Sequence, residues 1–152
     1  MEGDFNRETG TEVYFLIGGF YSLDNFSAHT VELWGLKFPT AEHAFQWKKF
    51  SDTRSDIAKK VLEAGSPEIA KRIAASEKLN RSPSWNEDKV TIMEEILRAK
   101  LAQHEEVREV LVKTGSRTII ENSPGDGFWG TGSDGRGENM IGKIWMKIRD
   151  NI

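Results

Sequence analysis

The chain of 152 residues has no cysteine and only three scattered histidines, His29, His43 and His104. Without a thiol there is no disulfide scaffold, no Cys-ligated zinc, haem-thiolate or iron–sulfur site, and no thiol nucleophile. Three separated histidines leave little room for a histidine metal cluster, and no metal site is expected. Long apolar runs are also missing. The most apolar stretch, Val13 to Phe20, has eight residues, less than half of the roughly 20 that span a bilayer, and it follows an acidic start. A cytoplasmic protein with no membrane partner is expected, a compartment that the lack of cysteine permits. There the sequons Asn25-Phe26-Ser27 and Asn80-Arg81-Ser82 carry no meaning for glycosylation. Internal repeats, heptads and low-complexity tracts are absent, which excludes solenoids and coiled coils. A formal charge of −3 and a pI near 5.7 argue against a protein that coats duplex nucleic acid by bulk charge, while leaving room for a local basic cleft.

Against these absences stand five tryptophans and 14 glycines. The length suits one domain burying roughly 68–70% of its unfolded surface, so a single domain over residues 1–152 is expected. Residues 13–38 are rich in β-formers broken by Gly19, Asp24-Asn25 and Gly35; they predict short strands, with Val31-Glu32-Leu33-Trp34 and Leu36-Lys37-Phe38 as a ribbon around Gly35. From Pro39 the pattern turns helical. Thr40 is placed to cap a helix reaching about Phe50, Ser66-Pro67 supplies a cap and first-turn proline before Glu68 to Ser76, and Ser84 to Glu87 has capping-box spacing. Val90, Met93, Ile96, Leu97 and Leu101 then mark a central core helix. A shorter helix over Glu105 to Lys113, a strand at Thr118-Ile119-Ile120, a Gly-rich loop over 123–137 and a closing amphipathic helix from Asn139 to Asp150 complete the reading. In that last helix Ile141, Ile144, Trp145 and Ile148 face inward. The expected fold is mainly α, a multihelical domain with a small β element near the N-terminus.

Three constellations could carry chemistry. On the helix after Thr40, Glu42, Gln46 and Lys49 fall within roughly 60° of one another between Phe45 and Phe50, a polar stripe that suits a cleft wall. The bland alternative is a solvated face with Glu42 as an ordinary first-turn acid. The helix dipole favours its carboxylate form, and an acid role requires burial to overcome that field. In the loop, six glycines within Gly125 to Gly137 permit close backbone approach and offer N–H groups to anionic oxygens; the alternative is a mobile surface loop. Gly130, Gly132 and Gly135 spell G-x-G-x-x-G, but they do not join a strand directly to a helix, so the dinucleotide fingerprint is set aside. Finally, Trp85 and Lys89 stand one turn apart after Lys78 and Arg81, where an aromatic base could stack while cations hold phosphate; core packing is the competing fate of Trp85. His104-Glu105-Glu106 lacks the second histidine of a zincin.

Taken together, Asn25-Phe26-Ser27, Pro39-Thr40-Ala41-Glu42-His43-Ala44-Phe45-Gln46, Trp85 with Lys89, Ser123-Pro124 with Asp126, Phe128-Trp129-Gly130, Gly135-Arg136-Gly137-Glu138-Asn139 and Gly142 resemble the YbiA-like, or NADAR, domain family. The resemblance runs over about residues 20–149. It implies a metal-independent N-glycosidase that needs no cofactor and cleaves the bond between a phosphorylated ribose and a base-derived amine. Its partner is then a small phosphorylated ribosyl compound, with early riboflavin-pathway intermediates ahead of ADP-ribosylated guanine in nucleic acid; a silent ADP-ribose or NAD binding module is the alternative from another class. Carried over residue by residue, Glu42, Trp85, Asp126 and Trp129 take the family's proposed active-site positions, and Asn25, Gln46, Lys89, Gly130, Arg136 and Asn139 join the substrate-binding set. The chemistry agrees, since cleavage builds positive charge on the ribose that carboxylates stabilise while aromatic walls hold the base. Lys49 adds a second catalytic route, a Schiff base at C1 of a ring-opened ribosylamine. Trp47 and Lys48 make the helix centre bulkier and more basic than the family pattern.

Overall fold

The computed structural model describes residues 8–15 and 19–152, so residues 16–18 of the apolar run lie outside the described residues. The chain forms two compact units, one of residues 25–103 and one combining residues up to 24 with 104–152. Helices dominate both, as expected, with short strands between them.

In the unit of residues 25–103, strands β2 (Val31–Leu33) and β3 (Leu36–Phe38) pair antiparallel, Val31 opposite Phe38 and Leu33 opposite Leu36. The sequence ribbon is thus present, but Trp34 belongs to its turn rather than its strand. Trp34 and Gly35 take φ of 54° and 78°, the two positive values a tight hairpin turn requires. A left-handed conformation costs a residue with a side chain roughly 1–2 kcal/mol. The indole recovers it by stacking on Trp47 at 5.7 Å, meeting Phe38 edge-on and donating its N–H to Glu95 at 3.2 Å.

Three helices follow, α1 (Ala41–Lys48), α2 (Ser55–Leu62) and α3 (Pro67–Ser76). Thr40 Oγ1 accepts the His43 N–H and Ser66 Oγ accepts the Ile69 N–H, so both predicted caps form. The sequence reading has no counterpart of α2. Its cap position is Arg54, which makes no side-chain capping bond, so the usual start signal is missing; packing of Ile57, Ala58 and Val61 against Phe50, Ala70 and Ala74 holds it instead. Helix α4 (Trp85–Gln103) buries Trp85, Met93, Ile96, Leu97 and Lys100. The Ser84 hydroxyl donates to Asp88 at 2.6 Å while the Glu87 N–H goes to the Ser84 carbonyl, so the expected capping box does not form.

In the other unit, strand β1 (Glu12–Tyr14) runs parallel to β4 (Thr118–Ile120), Val13 opposite Ile119. This second β element joins segments a hundred residues apart, which adjacency in sequence does not reveal. Helices α5 (Glu105–Lys113) and α6 (Met140–Arg149) complete the unit. Ile141, Ile144, Trp145 and Ile148 are buried as predicted, and the Trp145 indole N–H donates to the Leu23 carbonyl at 2.9 Å. Helix α6 approaches β4 so closely that a Cβ on Gly142 would stand 2.1 Å from the Ile119 carbonyl oxygen. Gly142→Ala is therefore expected to destabilise the protein by roughly 2–4 kcal/mol, read from urea unfolding; an unchanged midpoint would mean that this approach is not needed.

Candidate active site

Helix α1 turns its polar stripe inward. Glu42 and Gln46 are 7% and 4% exposed, so the solvated-face alternative fails for both, and Lys49 is partly buried at the helix end. Gln46 Nε2 donates to Glu42 Oε2 at 2.5 Å. The Asn25 side chain also bonds Glu42, and the Asn25 carbonyl accepts the Glu42 N–H at 3.1 Å. Burial pushes the Glu42 carboxyl above the ordinary carboxylate range, opposed by the Gln46 hydrogen bond and the charges of Lys71 and Lys49. Burial is the condition that an acid role for this first-turn carboxyl requires.

Aromatic rings and cations gather around Lys49, at the end of the same helix. Phe45 and the buried Trp85 meet at 5.0 Å, and the Lys49 ammonium lies 5.4 Å from the Phe45 ring and 5.6 Å from Trp85. Burial lowers the Lys49 ammonium to about 8, with Glu42 opposing and Arg81, Lys71 and Lys89 adding to the depression. Four parts of this unit thus bring cations to one place: Lys49 at the C-cap of α1, Lys71 on α3, Arg81 in the segment before α4, and Lys89 on α4. Nothing in the sequence marks Lys71, since a lysine on an exposed helix face carries no signal until the chain folds. The Lys49 carbonyl accepts the Ser82 N–H at 2.7 Å and fixes the segment bearing Arg81. Trp85 is 3% exposed, the burial that core packing predicts. His43 is structural, its ring nitrogens engaged with Thr40 Oγ1 at 2.8 Å and the Ala64 carbonyl at 2.9 Å. Lys48 lies over Trp34 at 5.0 Å, away from the Lys49 pair of rings.

The remaining sequence-selected residues sit in the other unit, in the loop between β4 and α6. This loop is built by its own backbone. Thr131, Gly132 and Gly137 donate to the Glu121, Ser123 and Thr131 carbonyls, and Asn139 to that of Gly130. Gly132, Gly135 and Gly137 thus spend their N–H groups on folding the loop and do not present them to an anion. A Cβ on Gly130 would lie 2.7 Å from the Glu121 carbonyl oxygen, so glycine serves close packing there. Asp126 Oδ1 accepts the N–H groups of Phe128 and Trp129 at 2.9 and 2.8 Å, and Trp129 meets Phe128 edge-on at 4.8 Å. Asn139, at φ 51°, accepts from Glu121 N–H and donates to the Ile119 carbonyl, both at 2.9 Å. Arg136 is exposed. Asp126→Asn retains the accepting oxygen and should leave the loop intact, whereas Asp126→Ala should cost about 1–2 kcal/mol in thermal or urea unfolding; equal stability of the two would remove that structural role.

Among the described residues, no three His, Cys, Asp or Glu side chains gather as a metal site, and no helix is long and apolar enough to cross a membrane. Several known proteins are similar to this chain. The Escherichia coli N-glycosidase YbiA is 30% identical over 146 residues, covering 96% of this chain and 90% of its own. An N-glycosidase of Nostoc punctiforme is 35% identical over 129 residues, covering 84% and 83%. A riboflavin biosynthesis protein of Vibrio vulnificus is 33% identical over 130 residues, 86% of this chain but 35% of that longer protein. The NMR structure of E. coli YbiA superposes with a TM-score of 0.82 at 28% identity, over 99% of this chain and 89% of that one. The NADAR domain matches residues 5–152, and the chain belongs to the NADAR domain family.

Proposed function

We propose that the protein is an N-glycosidase that hydrolyses the bond between a phosphorylated ribose and a base-derived amine, with an early riboflavin-pathway intermediate as substrate. The observation that carries this reading is the Glu42–Lys49 pair, a carboxyl held toward its protonated form and an amine lowered to about 8, flanked by Phe45 and Trp85. Relatives named N-glycosidase and riboflavin biosynthesis protein support it. Lys71, Arg81 and Lys89 supply the positive field that a ribose phosphate requires.

A ribosylamine can open when the protonated Glu42 gives its proton to the ring oxygen as the C1–O bond breaks, leaving a protonated imine between C1 and the base nitrogen and Glu42 as a carboxylate. The Lys49 amine adds to C1, the proton it loses returns through Glu42 to the base nitrogen, and the base leaves as a free amine. Water then adds its oxygen to C1 of the lysine Schiff base and the C1–N bond to Lys49 breaks, releasing ribose 5-phosphate; the two water protons return to the Lys49 nitrogen and to Glu42. Trp85 stacks on the departing base. Asp126 and Trp129 are assigned to the substrate by the family motif alone. With that motif running across both compact units, residues 1–152 are proposed to act as one domain.

The test incubates the protein with a ribosylaminopyrimidine phosphate and, separately, with ADP-ribosylated guanine DNA. Release of base and ribose 5-phosphate from the first is expected. Turnover of the DNA alone would replace the substrate, and ADP-ribose binding with no turnover of either would replace the enzyme by a binding module.

A further inference from the structure

Two oxygens in the Glu42 cluster have no donor. Asn25 Oδ1 and Gln46 Oε1 are buried without a hydrogen-bond partner, on residues that are each 4% exposed. Among the described residues the other buried side-chain atom in this position is Asn122 Oδ1 in the second unit. Two of the three unsatisfied atoms therefore belong to the two amides that bond Glu42. Their nitrogens are occupied, Gln46 Nε2 by Glu42 at 2.5 Å and Asn25 Nδ2 by the Met93 sulfur at 3.4 Å. The nitrogen contacts fix which end of each amide is left over. A buried acceptor without a donor is costly enough that native folds retain few of them, and a paired set beside a catalytic carboxyl calls for a ligand that supplies the donors.

We infer that Asn25 Oδ1 and Gln46 Oε1 form a diol subsite, accepting the O–H groups of the vicinal 2- and 3-hydroxyls of the substrate ribose. The inference rests on the N-glycosidase reading and deepens it. Both acceptors flank the carboxyl that must work beside C1, and the hydroxyl-bearing carbons C2 and C3 are the next atoms of the sugar ring. The cations of the cluster cannot substitute for these hydroxyls on an anionic ligand, because phosphate oxygens bring no donor to a carbonyl oxygen. A ribose phosphate meets both needs at once, its hydroxyls facing the amides and its phosphate facing Lys71, Arg81 and Lys89. The subsite makes the protein selective for ribose over 2-deoxyribose, since removing one hydroxyl returns a buried acceptor to its unpaired state.

Calorimetric titration of the full chain with ribose 5-phosphate and 2-deoxyribose 5-phosphate tests this without requiring turnover. The deoxy sugar is expected to bind roughly 10- to 100-fold more weakly. Gln46→Met and Asn25→Leu keep side-chain volume and remove the oxygen. In the variant that faces the 2-hydroxyl the ratio should collapse toward one, while the other variant weakens both sugars and keeps it. If Gln46 serves only to hold Glu42, both sugars weaken together and the ratio survives. Equal binding of the two sugars by the wild type, binding of neither, or survival of the ratio in both variants overturns the diol subsite. The wild-type comparison decides the matter even if a variant fails to fold. Base release from the ribosylaminopyrimidine phosphate is scored separately: discrimination without turnover leaves the subsite standing and removes the glycosidase reading, and turnover without discrimination does the reverse.

Discussion

Glu42→Gln is expected to lower turnover by roughly 10³-fold, within the usual contribution of a positioned acid or base, while raising the melting temperature near neutral pH. The two effects have one cause. Burial holds the Glu42 carboxyl above its ordinary range, so in the interval between its unfolded and folded values the native state binds more protons than the unfolded chain. Stability contributed by this group is present below the unfolded value and is lost as pH rises through the folded one. A neutral amide of nearly the same shape removes that loss, keeps an acceptor for the Gln46 amide, and has no proton to move. Melting curves across pH should show the wild type losing stability through that interval and the variant losing less. Turnover kept at the wild-type level would remove Glu42 from the chemistry, and a lower melting temperature at neutral pH would show that its ionised form is not a burden to the fold.

Lys49 should yield a covalent adduct. Borohydride added during turnover is expected to trap ribose phosphate on Lys49, visible as a mass increase on the peptide that bears it, and Lys49→Arg should abolish both the adduct and turnover by roughly 10²–10⁴-fold, because a guanidinium has no neutral amine to offer. The pH dependence follows from the depressed value of about 8. Because the route needs a protonated Glu42 together with a neutral Lys49, the free-enzyme rate should be bell-shaped with one limb at about 8, where an unperturbed lysine would still be charged. The stability sign is opposite to that of Glu42. Between about 8 and the ordinary lysine value the unfolded chain binds the extra proton, so the contribution of this group to stability improves as pH rises across that window. Absence of any adduct, with turnover intact in Lys49→Arg, would leave direct attack of water on the ribose as the route.

What the sequence alone determined about this protein is the set of local elements whose signals lie within a few residues. Thr40 and Ser66 caps, the 3.6-residue spacing of Met93, Ile96 and Leu97, the inward face of the last helix and the ribbon around Gly35 all recur in the structure, because capping and periodicity act over one or two turns. The polar stripe of Glu42, Gln46 and Lys49 was visible for the same reason. Burial was not, since it depends on which distant segments cover a face. How deeply Glu42 and Lys49 are buried, and where Lys71 stands, were decided by the packing of α1 against α3 and α4 with Asn25 and the segment bearing Arg81. Helix α2 has no local start signal, because its first turn lacks a side-chain cap and tertiary contacts hold it. The parallel pairing of β1 with β4 joins chain segments whose proximity no local rule encodes. Composition and motif named the chemical groups, while the tertiary structure set their hydration, and hydration determines what a carboxyl and an amine can do.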